Sequence, residues 1–113
     1  MVVSPLVLPA VPVQYRELRP NLLALIKSIQ FSDNQHDPTE CPIAHLKDFI
    51  DICDTTASDV VTLEYIRMKA FKFTLVGNTA DWYVSLPARS ITIWTQLSDI
   101  FTDKFFPPFK TKV

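Results

Sequence analysis

From Thr79 to Thr111 the chain reads TADWYVSLPARSITIWTQLSDIFTDKFFPPFKT. Trp94, Leu97, Phe101 and Phe105 recur there at intervals of three and four, the period that lines side chains along one face of a helix. Thr92 stands where a capping hydroxyl would, and Lys104 lies in the final turn, where a cation complements the helix dipole. Pro107 and Pro108 forbid continuation. Upstream, Trp82, Tyr83 and Leu86 belong to a shorter helix beginning near Thr79 and ended by Pro87. Helical spacing makes core packing the natural role of both tryptophans.

The same pattern extends toward the N-terminus. Leu63, Ile66, Ala70 and Phe73 line one side of a segment that Phe71 and Leu75 widen, as in a helix central to a bundle. Thr62 is its expected cap and the single glycine, Gly77, its expected left-handed stop. After Pro42, Leu46, Phe49, Ile50 and Cys53 form one apolar stripe, with Lys47, Asp48, Asp51 and Asp54 on the wet side. Pro20 opens a first helix with Leu22, Leu25, Ile26 and Ile29 on one face, and Phe31 and the polar FSDNQHDPTE loop follow. The leading MVVSPLVLPAVPV, broken by Pro5, Pro9 and Pro12, reads as a proline-rich arm, either a leader or a segment tucked on the bundle. The expectation is all-α: about five helices over residues 14–113, no convincing strand, and an irregular arm over residues 1–13.

With eleven basic and twelve acidic residues interspersed, the chain has no strong field for phosphate backbones. No apolar run approaches the roughly 20 residues a membrane span needs, so the expected setting is the cytoplasm, with the nucleus left open. Neither a cofactor nor a small-molecule substrate is indicated. His36, Cys41, His45 and Cys53 invite a zinc reading, but Cys53 lies roughly 12 Å along the helix from His45. Structural zinc sites use tighter paired spacings, so Cys53 reads as core and the histidines as surface. No motif announces a cysteine nucleophile with a histidine base, and Asp48, Asp51 and Asp54 beside Lys47 read as a solvated face. Lys104, Lys110 and Lys112 alternate with Phe105, Phe106 and Phe109, a pattern that can bind RNA by charge and stacking. Helix-end charge over core aromatics is the favoured reading of that cluster.

The linear order of these motifs resembles the Gag proteins of plant gypsy-class LTR retrotransposons. Asp37, Pro38, His45, Leu46, Phe49 and Cys53 match the family's acidic-Pro, His-Leu, Phe and Cys pattern, and Phe31 matches a Phe ahead of it. Ile66, Arg67, Phe71, Phe73 and Leu75 match its arginine-containing helix. Ala80, Trp82, Leu86, Pro87, Ser90, Ile91, Trp94, Leu97, Phe101, Phe105, Phe106 and Pro107 match its most recognisable stretch. The resemblance covers roughly residues 15 to 112. Lys72 stands where the family prefers proline, so the middle helix is expected to run unbroken, and Ile93 replaces a usual threonine cap, leaving that role to Thr92.

The resemblance implies a bundle like a capsid N-terminal lobe. In the family, Gag assembles with copies of itself into a particle around the element's RNA, aided by a C-terminal lobe and often a zinc-knuckle segment. This chain has no Cys-x-x-Cys knuckle and little length for a second lobe, so the expectation is a fragment, a degenerate copy or a host-retained relic. The expected function is structural and non-enzymatic, with Lys47, Asp51 and Asp54 as candidates for contacts between copies. The alternative is a domesticated module that grips a peptide or partner helix, for which a groove near the arm would speak.

Overall fold

A computed structural model describes residues 4–32, 41–57 and 59–106. His36, Asp37, Pro38, Pro107, Phe109, Lys110 and Lys112 lie outside these residues. Within them the chain is an all-α bundle: α1 (Pro20–Lys27), α2 (Pro42–Cys53), α3 (Val60–Ala70), α4 (Asn78–Val84) and α5 (Trp94–Phe105). Pro20 and Pro42 sit at the first helical positions of α1 and α2, where a missing N–H breaks no bond. The α5 residues Trp94, Leu97, Phe101 and Phe105 are all buried, as are Leu46, Phe49 and Cys53 of α2.

Leu22 and Ile26 are buried on α1, but Leu25 is 52% exposed. Leu25 lies at the margin of the stripe, and the helix stops at Lys27, before Ile29 can extend the face toward it.

The start of α3 differs from expectation. Thr62 is buried in the first turn, and its backbone N–H donates to Asp59 Oδ2 at 2.8 Å. A carboxylate one turn earlier is the stronger acceptor for an orphan N–H and also meets the positive end of the helix dipole.

The middle helix does not run unbroken. It ends at Ala70, tightens into a 3-10 turn over Phe71–Thr74, and becomes extended at Leu75. There Phe31 N–H donates to Thr74 O (2.8 Å) and Val76 N–H to Phe31 O (3.2 Å), an isolated parallel bridge. The incoming strand-like residue satisfies backbone groups that an α-helix would have paired internally. Gly77 therefore caps nothing at the end of α3. It precedes α4 with φ 57° and ψ −130°, a conformation that L side chains rarely adopt.

At the start of α5, Thr92 does not supply the cap. Gln96 Oε1 accepts from the backbone N–H of Thr92 at 2.8 Å, and Trp94 N–H donates to Glu64 Oε2 of α3 at 2.6 Å. Ile93 occupies the cap position and has no acceptor to offer, so the carboxylate comes from a neighbouring helix.

The arm tucks onto the bundle. Arg89 N–H donates to Ser4 O, Ile91 N–H to Pro5 O and Val7 N–H to Ile91 O, and Leu6 bridges Ile91 in parallel. Val11 is buried in the common core, and the division at residues 13 and 14 falls inside a 3-10 turn, Val13–Tyr15. Beyond that turn, the Tyr65 hydroxyl and the Lys69 ammonium both donate to Arg16 O, tying α3 to the approach to α1.

At the centre lie Phe31, Phe49, Phe71 and Phe101, all essentially inaccessible. Phe71 meets Phe101 edge-on at 5.1 Å and 89°, Phe49 at 5.3 Å and Trp94 at 5.4 Å between ring centroids. Such edge-to-face pairs contribute about 0.5–1.5 kcal/mol each beyond the area they bury.

Two outcomes follow. Phe101→Ala removes a ring shared by α4, α5 and the Phe31 junction and should lower unfolding free energy by about 3–5 kcal/mol, read by chemical denaturation. The Asp59 carboxyl is held below its ordinary value chiefly by its bond to Thr62. Its stabilisation is therefore complete above the ordinary carboxylate pKa and is lost as pH falls through the lowered one. Asp59→Ala should depress the thermal midpoint at neutral pH, with the gap to wild type closing in strong acid.

Candidate functional site

Three places on this scaffold could carry function: the interior around His45, the outward face of α2, and a groove beside the arm. His45 is not at the surface as expected; it is buried. Its Nε2 lies 2.9 Å from Thr74 Oγ1, and that hydroxyl donates onward to Phe71 O at 2.8 Å. The hydroxyl proton is thus committed, so His45 Nε2 is the donor in the first bond. The ring stands 5.2 Å from Phe31 and 6.0 Å from Phe71. The His-Leu pair of the sequence motif is therefore an interior hydrogen-bonded post followed by a core leucine.

Cys53 is fully buried. Loss of water pushes its thiol up to about 12, with Arg67 opposing only in part. A protonated thiol is neither a good nucleophile nor a ready metal ligand. Cys41 is partly buried just ahead of α2. Among the described residues, no group of three His, Cys, Asp or Glu side chains comes together to hold an ion.

The wet side of α2 lies where the periodicity put it. Lys47, Asp48, Asp51 and Asp54 are exposed. They are not equivalent, however. Asp54 Oδ1 pairs with Arg67 Nη2 at 2.6 Å, linking the end of α2 to α3. That is the one ion pair among the described residues, and it engages the motif arginine within the chain. Arg67 Nε is buried there without a hydrogen-bond partner. At the helix start Ile43 is 46% exposed, an apolar side chain on the outer surface that the periodicity did not single out.

The C-terminal cluster divides. Lys104 is exposed in the last turn of α5, while Phe105 beside it is core, 5.2 Å from Trp82 and 5.8 Å from Phe31. Phe105 is thus unavailable for stacking on a base, whereas Phe106 is 39% exposed.

The groove was not legible from the sequence. It has a volume of about 410 Å³ and is walled by Ser4 and Pro5 of the arm, Lys72 and Phe73 of the 3-10 turn, and Ala80, Tyr83 and Val84 of α4. Phe73, which the helical spacing placed along the α3 stripe, is only partly buried because the break at Phe71 rotates it outward. Lys72 and Lys27 hold their ammonium groups 5.3 and 5.9 Å from its ring centroid. Burial pushes the Tyr83 phenol up to about 12, so it stands neutral at this wall. No helix among the described residues is long and apolar enough to cross a membrane.

Burial of Cys53 predicts a simple labelling pattern. In the native protein an aromatic disulfide reagent at mildly alkaline pH should modify Cys41 and leave Cys53 untouched; denaturant should release the second thiol. Of the proteins to which this chain can be compared, no family model, no curated protein and no solved structure matches it.

Proposed function

We propose that this domain is a structural, non-enzymatic module of the retrotransposon Gag kind, a capsid N-terminal-lobe-like bundle that associates with copies of itself. In a full Gag polyprotein it would contribute to a particle that packages the element's RNA, with RNA contact by this lobe weak or indirect and no small-molecule substrate. One observation carries the reading: the residues that match the Gag pattern, widely spaced in sequence, share one core. Phe31, Phe49, Phe71, Trp94, Phe101 and Phe105 meet there, and Leu46, Cys53, Ile66, Leu75 and Leu97 fill in around them. Trp82, Leu86 and Phe73 are partly buried against it. A motif whose members make a scaffold fits a protein whose work is done by its outer surface.

Repeated weak contacts between identical lobes suffice for assembly, because a few anchors per contact carry most of the energy. The second reading, a domesticated module that grips a peptide or partner helix, is favoured by the groove beside the arm.

Sedimentation velocity over a wide concentration range tests the pair. Mass should rise with concentration if the domain self-associates. A species that stays monomeric throughout argues for the binding-module reading.

A further inference from the structure

We infer that the groove beside the arm receives the outward face of α2 from a second copy of this chain, an inference that rests on the self-association reading and deepens it. Among the described residues the groove is charged in one sense only. Lys72 is the charged residue among the side chains that wall it, and Lys27 joins it over the Phe73 ring. Neither lysine forms an ion pair among the described residues. Two ammonium groups are thus gathered at one aromatic ring. Val84, at 63% exposure, adds an aliphatic wall that remains wet in the isolated domain. Such a surface is complementary to an apolar side chain accompanied by carboxylates.

The same chain presents that arrangement. Ile43, Asp48 and Asp51 lie on the exposed side of α2, an aliphatic tip in the first turn followed by carboxylates on the next two. Ile43 and Asp51 are separated by roughly 12 Å along the helix axis at the usual rise per residue. Asp54 is held by Arg67, whereas among the described residues Asp48 and Asp51 form no ion pair, and on this face of α2 Lys47 sets one ammonium against their two carboxylates. Seating α2 in the groove would bury Ile43 against Phe73 and Val84 and bring Asp48 and Asp51 to Lys72 and Lys27. The apolar contact would supply most of the affinity; the charges would set orientation and association rate.

The two surfaces lie on different parts of the molecule. α2 packs mainly on α1, α3 and α5, while the groove is walled by the arm, the 3-10 turn and α4. A contact of this kind is head-to-tail: a joined pair leaves the groove free on one copy and the α2 face free on the other. It therefore closes into a ring or extends, which a lobe that builds a shell requires.

Charge reversal with complementation tests this on the whole chain, by sedimentation velocity at low and high salt. Lys72→Glu and Asp51→Lys both change exposed side chains, and circular dichroism checks that each variant folds. Each alone should weaken self-association about tenfold or more, the scale of a lost contact charge replaced by a like one. An equimolar mixture should recover association, because each variant carries the charge that the other's opposing surface now needs, and salt should weaken both wild type and mixture. Wild-type-like association of both variants, or failure of the mixture to recover, overturns the α2-in-groove contact while self-association stands. Weakening by Lys72→Glu alone assigns the groove to a different segment and also overturns it. A wild-type chain that stays monomeric at every concentration overturns the self-association reading itself.

Discussion

The fold depends on a junction made by Phe31. Its N–H and carbonyl are bound by Thr74 and Val76, and the Thr79 hydroxyl lies 2.5 Å from the same carbonyl. The backbone following α1 is thereby locked to the exit of α3 and the entrance of α4. Its ring meanwhile enters the interior, 5.3 Å from Phe101 and 5.2 Å from His45. One residue so joins backbone pairing to aromatic packing, and the rings it touches place α2 and α5. Buried backbone groups must find partners, and here the partners are supplied between elements rather than within a helix.

That junction explains the break in the middle segment. An unbroken helix through Thr74 would direct Thr74 O and Val76 N–H along its own axis and leave Phe31 unpaired. The 3-10 turn releases them, lets Thr74 receive His45, and turns Phe73 outward to meet Lys27 and Lys72. Interior and surface consequences come from one change of pitch. The groove beside the arm exists because Phe73 faces out while Tyr83 and Val84 of α4 stand opposite.

The division of labour between inside and outside also bears on function. Arg67 and His45, two polar members of the motif, serve the scaffold: one ties α2 to α3, the other bridges α2 to the 3-10 turn. Cys53 is sealed by burial. What remains for interaction is the outer face of α2, the lysine-rimmed groove and the apolar positions left exposed at helix starts, including Ile43, Val60 and Ile93.

The sequence by itself determined the number of helices, the prolines that open α1 and α2 and most of the apolar core, because one turn of helix encodes burial in a repeat of three and four. It also located the wet face of α2 and the exposed Lys104. Tertiary structure alone decided what caps α5, where α3 ends, how the arm is seated and that a groove opens beside it. Glu64 reaches Trp94 across 30 positions, and Phe31 reaches Leu75 across 44. Periodicity reports only on neighbours within a few turns, so a hydrogen bond or a cleft made by distant segments leaves no local trace until the chain is packed.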